Sequence, residues 1–413
     1  MAEAKRLHWW KRAAIFFAVI GPGIITANVD NDAGGITTYS LCGARFGYTL
    51  LWSFIPIAIV LIVVQEMCNR MGVVTGKGLS SLIRERFGVK MTFYLMLGLV
   101  FTNLGNIIAE FAGVAASMEI FGVSRYISVP MSAAFVWWLV TKGTYRTVEK
   151  VFLTACVFYV SYVLSGFMAK PDWGDVLKHT VMPTIQPTSA FFVMLVGLIG
   201  TTIAPWMQFY QQASVVEKGI KVEDYNYSRW DTIIGGVVVT VVAFFIVVTC
   251  GATLFKTGTD IQTASDAAMA LKPLAGQYCS FLFAFGLLNA SLFAASILPL
   301  STSFFVCEAF GWETGVNKKF SEAPQFYALY SVLIIIGGGL IMIPKAPLIP
   351  IMLISQVING IMLPFVLIFM ILLVNNKKLM GGFVNSRIYN CLAWGTVIAV
   401  SAIGLVMLFT MFL

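Results

Sequence analysis

Apolar runs about as long as a bilayer is thick recur along almost the whole of this chain, separated by short polar breaks. That pattern leaves few folds open. In hydrocarbon each backbone N–H and C=O must find its partner within the protein, so the spanning elements are helices or closed barrels, and the alternating strands of a barrel are missing. The runs lie at 13–43, 48–71, 91–121, 126–141, 150–168, 189–216, 231–255, 277–309, 326–344, 347–374 and 391–413. The expectation is an all-α integral membrane protein with eleven transmembrane helices, forming a single domain over 1–413.

The basic residues test the count. If the N-terminus is cytoplasmic, 20 of the 27 Lys and Arg fall in segments on the cytoplasmic side, as the positive-inside bias requires. The reading is therefore a multi-pass protein of the cell membrane with an extracellular C-terminus. Only 11% of residues are charged and the mean hydropathy is +0.86, so the net charge of +8 marks topology and contact with anionic membrane lipid, not nucleic acid. The opening "KRLHWWKRAAIFF" reads as a basic, aromatic membrane-entry flank, with no cleavable signal peptide. Seven cysteines stand singly in or near the runs and read as packing residues. The longest hydrophilic connections, near 169–188, 217–230 and 256–276, leave no room for a soluble catalytic domain. No enzyme activity, cofactor or obligate protein partner is expected, and function must sit inside the bundle.

Two runs are interrupted. The first reads "FFAVIGPGIITANVDNDAGGITTYSL" and the sixth "FFVMLVGLIGTTIAPWMQFYQQASVV", five spans apart. Broken helices at corresponding places in two halves point to an inverted-repeat transporter of LeuT-like type with its site between the breaks. The repeats would be helices 1–5, about 13–168, and 6–10, about 189–374, with 391–413 appended. An unwound helix frees carbonyl oxygens, which are tolerated in a membrane only where they line a cavity or bind something, and a hard cation suits them.

A carboxylate at mid-bilayer is costly and is a functional candidate by default, which singles out Asp32 in the first break. Asp30, about 200° away around an intact helix, reaches the same site only if the backbone unwinds, and a vestibule role outweighs direct ligation. Gly34 and Gly35 permit close approach of backbone to a ligand. Glu66 has Arg70 four residues on and reads as a structural ion pair. Glu110 is more central, with an aqueous path and a buried structural pairing both open. The two histidines, His8 and His179, lie outside the runs, leaving no imidazole in the bundle to carry protons near neutral pH.

With these residues in view, the chain resembles the natural resistance-associated macrophage protein (Nramp) family of divalent-metal transporters. The likeness runs through "GPG" at 21–23, "GARFGY" at 43–48, "RMGVVTGKGL" at 70–79, "AEFAG" at 109–113, "FGLLNAS" at 285–291 and "SQVINGIMLPF" at 355–365. The departures are informative. Where the family has Asp-Pro-Gly-Asn, this chain has Asp32-Ala33-Gly34-Gly35, and where it has Met-Pro-His, this chain has Ala204-Pro205-Trp206. The acid stays, while an amide oxygen and a soft thioether are gone. Of the family's proton path, the two histidine positions are Trp206 and Gln211, and the aspartate three residues before the helix-three glutamate is Ile107.

The resemblance implies Asp32 as ion ligand, Gly35 and Ala204 lining an enlarged cavity, and Thr201 adding a backbone or hydroxyl oxygen. Gln356 would reach the ion or its water shell, and Asn28, Asp30 and Gln208 would stand behind them. Such a set suits Mg²⁺, which keeps several waters and needs few carboxylates, as the transported substrate of an Nramp-related magnesium branch uncoupled from protons. Alternatives are a proton-coupled Mn²⁺ or Fe²⁺ transporter, a sodium-coupled amino-acid or amine transporter on the same scaffold, and a sensor or channel.

Overall fold

The computed structural model of the chain describes residues 26, 29–142, 160–316 and 318–411, and every regular element among them is helical. Asn28, Cys156, the opening of the first apolar run and the start of the fifth lie outside the described residues. The longer helices are α1 (Ala33–Phe46), α2 (Phe54–Thr75), α3 (Leu79–Ile120), α4 (Arg125–Lys142), α5 (Val160–Met168), α6 (Trp173–Val181), α7 (Ser189–Thr202), α8 (Pro205–Glu217), α9 (Tyr225–Cys250), α10 (Cys279–Phe310), α11 (Pro324–Ile341), α12 (Leu348–Val374) and α13 (Arg387–Met411). In α3 the chain bends at Gly88, whose φ of 82° no other residue would adopt easily, so the spanning part begins near residue 89.

Eight helical stretches among the described residues are long and apolar enough to cross a membrane. They correspond to the second, third and sixth to eleventh runs. At the fourth run α4 does form, but it is not among the eight, because Arg125, Lys142 and two tryptophans dilute its apolar residues. The expected eleven is therefore not reached among the described residues.

Helices in lipid associate through close packing, which small residues allow. At the crossing of α7 and α12, Gly200 lies against the Gln356 carbonyl and Gly360, and Gly360 in turn lies against the Val196 carbonyl. α10 runs along α3, which also packs on α12, while α1 is enclosed by α7, α9 and α12. Large side chains such as Ile335, Phe101 and Ile398 face outward, as a lipid-facing rim does.

The connections hold more structure than their polarity suggests. Residues 173–181 form α6 because Asp172 caps it, accepting from Gly174 N at 2.9 Å and Asp175 N at 3.2 Å. Within 256–276, Thr263 and Asp266 form a reciprocal capping box on a short helix. On the opposite side of the bundle, Arg70 pairs with Glu66 at 3.2 Å and donates to the Phe383 and Val384 carbonyls at 3.0 and 3.2 Å. That ties the end of α2 to the segment joining α12 and α13.

Both interrupted runs are broken in the structure. Thr26 and Val29 are helical, residues 30–32 are not, and α1 begins at Ala33 behind an extended Asp32 (φ −71°, ψ −174°). In the sixth run α7 stops at Thr202, Ala204 is extended (φ −63°, ψ 137°), and Pro205 opens α8. Proline at a first helical position lacks only an N–H that would have no partner there.

Candidate functional site

The two breaks meet between α1, α3, α7 and α12. Asp32 caps α1, its Oδ1 accepting from Gly35 N at 2.6 Å. From α3, Glu110 Oε2 accepts from Ala33 N at 3.2 Å, two residues from the Gly35 N–H that Asp32 holds. Two acids thus share one helix N-terminus, where the aligned peptide dipoles favour negative charge.

Thr201, in the last turn of α7, is buried and its hydroxyl has no hydrogen-bond partner. A Cβ placed on Gly35 would lie 3.2 Å from Thr201 Oγ1 and 3.4 Å from Asp32 Oδ1, so an oxygen from each break lies beside Gly35. The glycines permit this. A Cβ on Gly35 would overlap the Asp30 carbonyl, and one on Gly34 would overlap the Gln356 amide. The expectation that Gly35 enlarges the cavity is therefore modified: the Asp30 carbonyl and the Gln356 side chain already occupy the space the missing side chains release.

Ala204, buried in the second break, supplies no side-chain ligand, and no side chain caps α8 there. The Gln208 amide, with its nitrogen turned inward, reaches the Ala204 and Pro205 carbonyls at 2.6 Å and so adds a side-chain donor at the start of α8, where the Ala204 carbonyl also accepts from Met207 N at 3.1 Å. Asp30 is buried, and neither of its carboxylate oxygens has a hydrogen-bond partner. Among the described residues no ion pair reaches Asp30, Asp32 or Glu110. Nor do they converge as a cluster of three metal-binding side chains. The arrangement is one carboxylate, a second acid behind it and several neutral oxygens.

The three positions read as a lost proton path go different ways. Gln211 accepts from Thr26 Oγ1 at 2.8 Å and donates to Thr232 Oγ1 at 3.4 Å, bridging the first run, α8 and α9. Trp206 is buried against Tyr210. Ile107 points away from the site and packs against Gly337 of α11. The polar face of α3 is instead carried by Asn103, Asn106 and Glu110, one and two turns apart, residues whose helical spacing within an apolar run was a signal the sequence reading passed over. Asn106 and Asn359 donate to each other at 3.1 and 2.9 Å, and Asn359 also donates to Gln356 Oε1 at 2.9 Å.

A family model described as "Natural resistance-associated macrophage protein-like" (Nramp) matches residues 23–410. The chain belongs to the Nramp family. Among curated Nramp relatives, the divalent metal cation transporter MntH of Klebsiella pneumoniae is 25% identical over 94% of this chain and 92% of its own length. MntH 1 of Pseudomonas aeruginosa is 29% identical over 97% of this chain and 93% of its own. A crystal structure of the Eremococcus coleocola manganese transporter superposes with a TM-score of 0.77, at 21% identity, covering 96% of this chain and 86% of that one. The fold is therefore that of Nramp transporters, the LeuT-like arrangement with broken helices, and membership of this family makes the chain a membrane transporter and not an enzyme.

Proposed function

We propose that this chain carries divalent metal ions across the cell membrane by alternating access, and that its ion is Mg²⁺, moved partly hydrated and without a proton partner. The observation that carries the reading is the ligand set: Asp32 and Thr201 each bring an oxygen beside Gly35, and Ala204 offers no sulfur in the second break. Hard oxygen ligands around one carboxylate suit Mg²⁺, whereas a thioether would favour softer ions. An inside-negative potential supplies about 4.6 kcal/mol per 100 mV for a divalent ion, so uptake needs no proton gradient. The proposed unit is one domain of two five-helix repeats, 13–168 and 189–374, plus 391–413. The excess of Lys and Arg in one set of connections supports a cytoplasmic N-terminus and an external C-terminus for it.

A second reading, proton-coupled Mn²⁺ or Fe²⁺ transport, is favoured by the curated relatives' names as divalent metal cation transporters and by the manganese transporter whose fold this chain shares. Glu110 beside Asp32 gives it a titratable group at the site. A sodium-coupled amino-acid carrier is disfavoured, because the α1 amides that would receive a substrate carboxylate are taken by Asp32 and Glu110.

Proteoliposomes separate the two. Mg²⁺ uptake with no internal acidification, unchanged by an imposed pH gradient, supports the first reading; Mn²⁺ uptake that acidifies the lumen, with Mg²⁺ excluded, replaces it with the second.

A further inference from the structure

Four side-chain amides form one hydrogen-bonded chain from α10 through α3 to α12, and its direction is fixed at one end. The Leu298 carbonyl on α10 can only accept, so Asn103 must turn its N–H₂ toward it, at 2.9 Å, with Thr302 Oγ1 at 2.6 Å. Asn103 Oδ1 is then left to accept from Asn106 Nδ2 at 3.2 Å. Asn106 and Asn359 exchange their reciprocal pair, and the second N–H of Asn359 goes to Gln356 Oε1. With its oxygen engaged, Gln356 turns its N–H₂ to Ser355 Oγ at 3.1 Å and over Gly34. All four amides are essentially inaccessible to solvent, so water does not compete for them.

We propose that this chain is a positioning device: a main-chain carbonyl on α10 determines, through Asn103, Asn106 and Asn359, which end of the Gln356 amide faces the Asp32 site. Gln356 then acts as a hydrogen-bond donor to oxygens around the ion and not as an ion ligand. The proposal rests on the reading of Asp32 as the ion site. It gives Asn359 a role although its amide reaches the site only through Gln356. Reversing Gln356 requires breaking the Asn359 bond, because no other member can invert while Leu298 accepts.

A double-mutant cycle on the apparent KM for ion uptake tests this in proteoliposomes, with Mg²⁺ and Mn²⁺ as the probes. Asn359→Leu is expected to raise KM about three- to tenfold, the loss of one positioning hydrogen bond, with the maximal rate within about twofold. In a Gln356→Leu background the same change should shift KM by less than about twofold, because the residue acts through Gln356. Asn103→Leu provides a second variant that keeps roughly the side-chain volume but cannot donate to the Leu298 carbonyl, and it should show the same dependence on Gln356. Additive losses in both cycles would overturn the proposal. Asp32→Ala keeps the two readings distinct: uptake that survives it overturns the ion site itself, whereas additivity with uptake abolished by Asp32→Ala overturns only the amide chain.

Discussion

Asp32 and Glu110 cap the same helix from two directions, Asp32 from within the chain at Gly35 N, 2.6 Å, and Glu110 from α3 at Ala33 N, 3.2 Å. The two acids thus have separable duties. Asp32→Ala should abolish saturable divalent-ion uptake. Glu110→Gln keeps an oxygen for Ala33 N and should retain a correctly started α1 with reduced uptake. Glu110→Leu leaves that buried N–H without a partner, at a cost of about 1–3 kcal/mol, so thermal unfolding in detergent should separate it from the glutamine variant. Equal melting temperatures for the two would show that Glu110 does not hold the helix start.

The glycine pair gives a second test, because its two members are constrained by different neighbours. Gly34→Ala meets the end of the Gln356 side chain, whereas Gly35→Ala meets the Asp30 backbone carbonyl. Both should lose ion uptake. Only the first should be rescued by adding Gln356→Ala, since a side chain can be trimmed and a carbonyl cannot. Rescue of Gly35→Ala by the same second change would contradict the packing described.

Much of this was open to a reader of the sequence, and the reason differs by element. The broken runs could be read because glycine, proline and an acid inside apolar stretches have few uses in a membrane. Asp32 was a candidate from the cost of a mid-bilayer carboxylate, and the resemblance set it above Asp30. What escaped depended on which residues meet across helices. The resemblance set Ile107 at a proton-path position beside Glu110, yet it packs on Gly337, while Asn106 one position earlier faces Asn359. One residue turns a helix by about 100°, so counting alone could not choose between them without knowing where α11 and α12 sit. Likewise α6 hid in a polar connection, because its helix rests on the local cap of Asp172 and not on an apolar stripe of spanning length.

Outside the spans, Arg45 at the end of α1 pairs with Asp260 at 3.0 Å, with both side chains close to half exposed. Slight burial pushes the Asp260 carboxyl up, but the Arg45 hydrogen bond and charge, with the Gln262 amide, outweigh it and hold the group below its ordinary value. A lowered carboxyl contributes stability above its unfolded value and loses it as pH falls through the folded one. Exposure and screening keep that contribution to about 0–1 kcal/mol. Asp260→Asn should therefore lower the melting temperature slightly at neutral pH, and the difference should shrink in acid below the usual carboxylate range and in high salt. A difference that grows in acid would assign the effect to another group.

The identity of the ion turns on Ala204, and adding the missing ligand tests it directly. Ala204→Met would place a thioether in the second break, three residues after Thr201 and across from Asp32, where the present residues offer only oxygen. Sulfur binds Mg²⁺ poorly and softer divalent ions better, so competition by Mn²⁺ and Cd²⁺ against Mg²⁺ uptake should strengthen in the variant. A gain of about tenfold in relative Cd²⁺ affinity would correspond to about 1.4 kcal/mol, the scale of a single added ligand in a site that stays partly hydrated. If the selectivity order does not move although the variant folds and transports, the side chain at 204 does not face the ion, and the oxygen-only argument for Mg²⁺ falls with it.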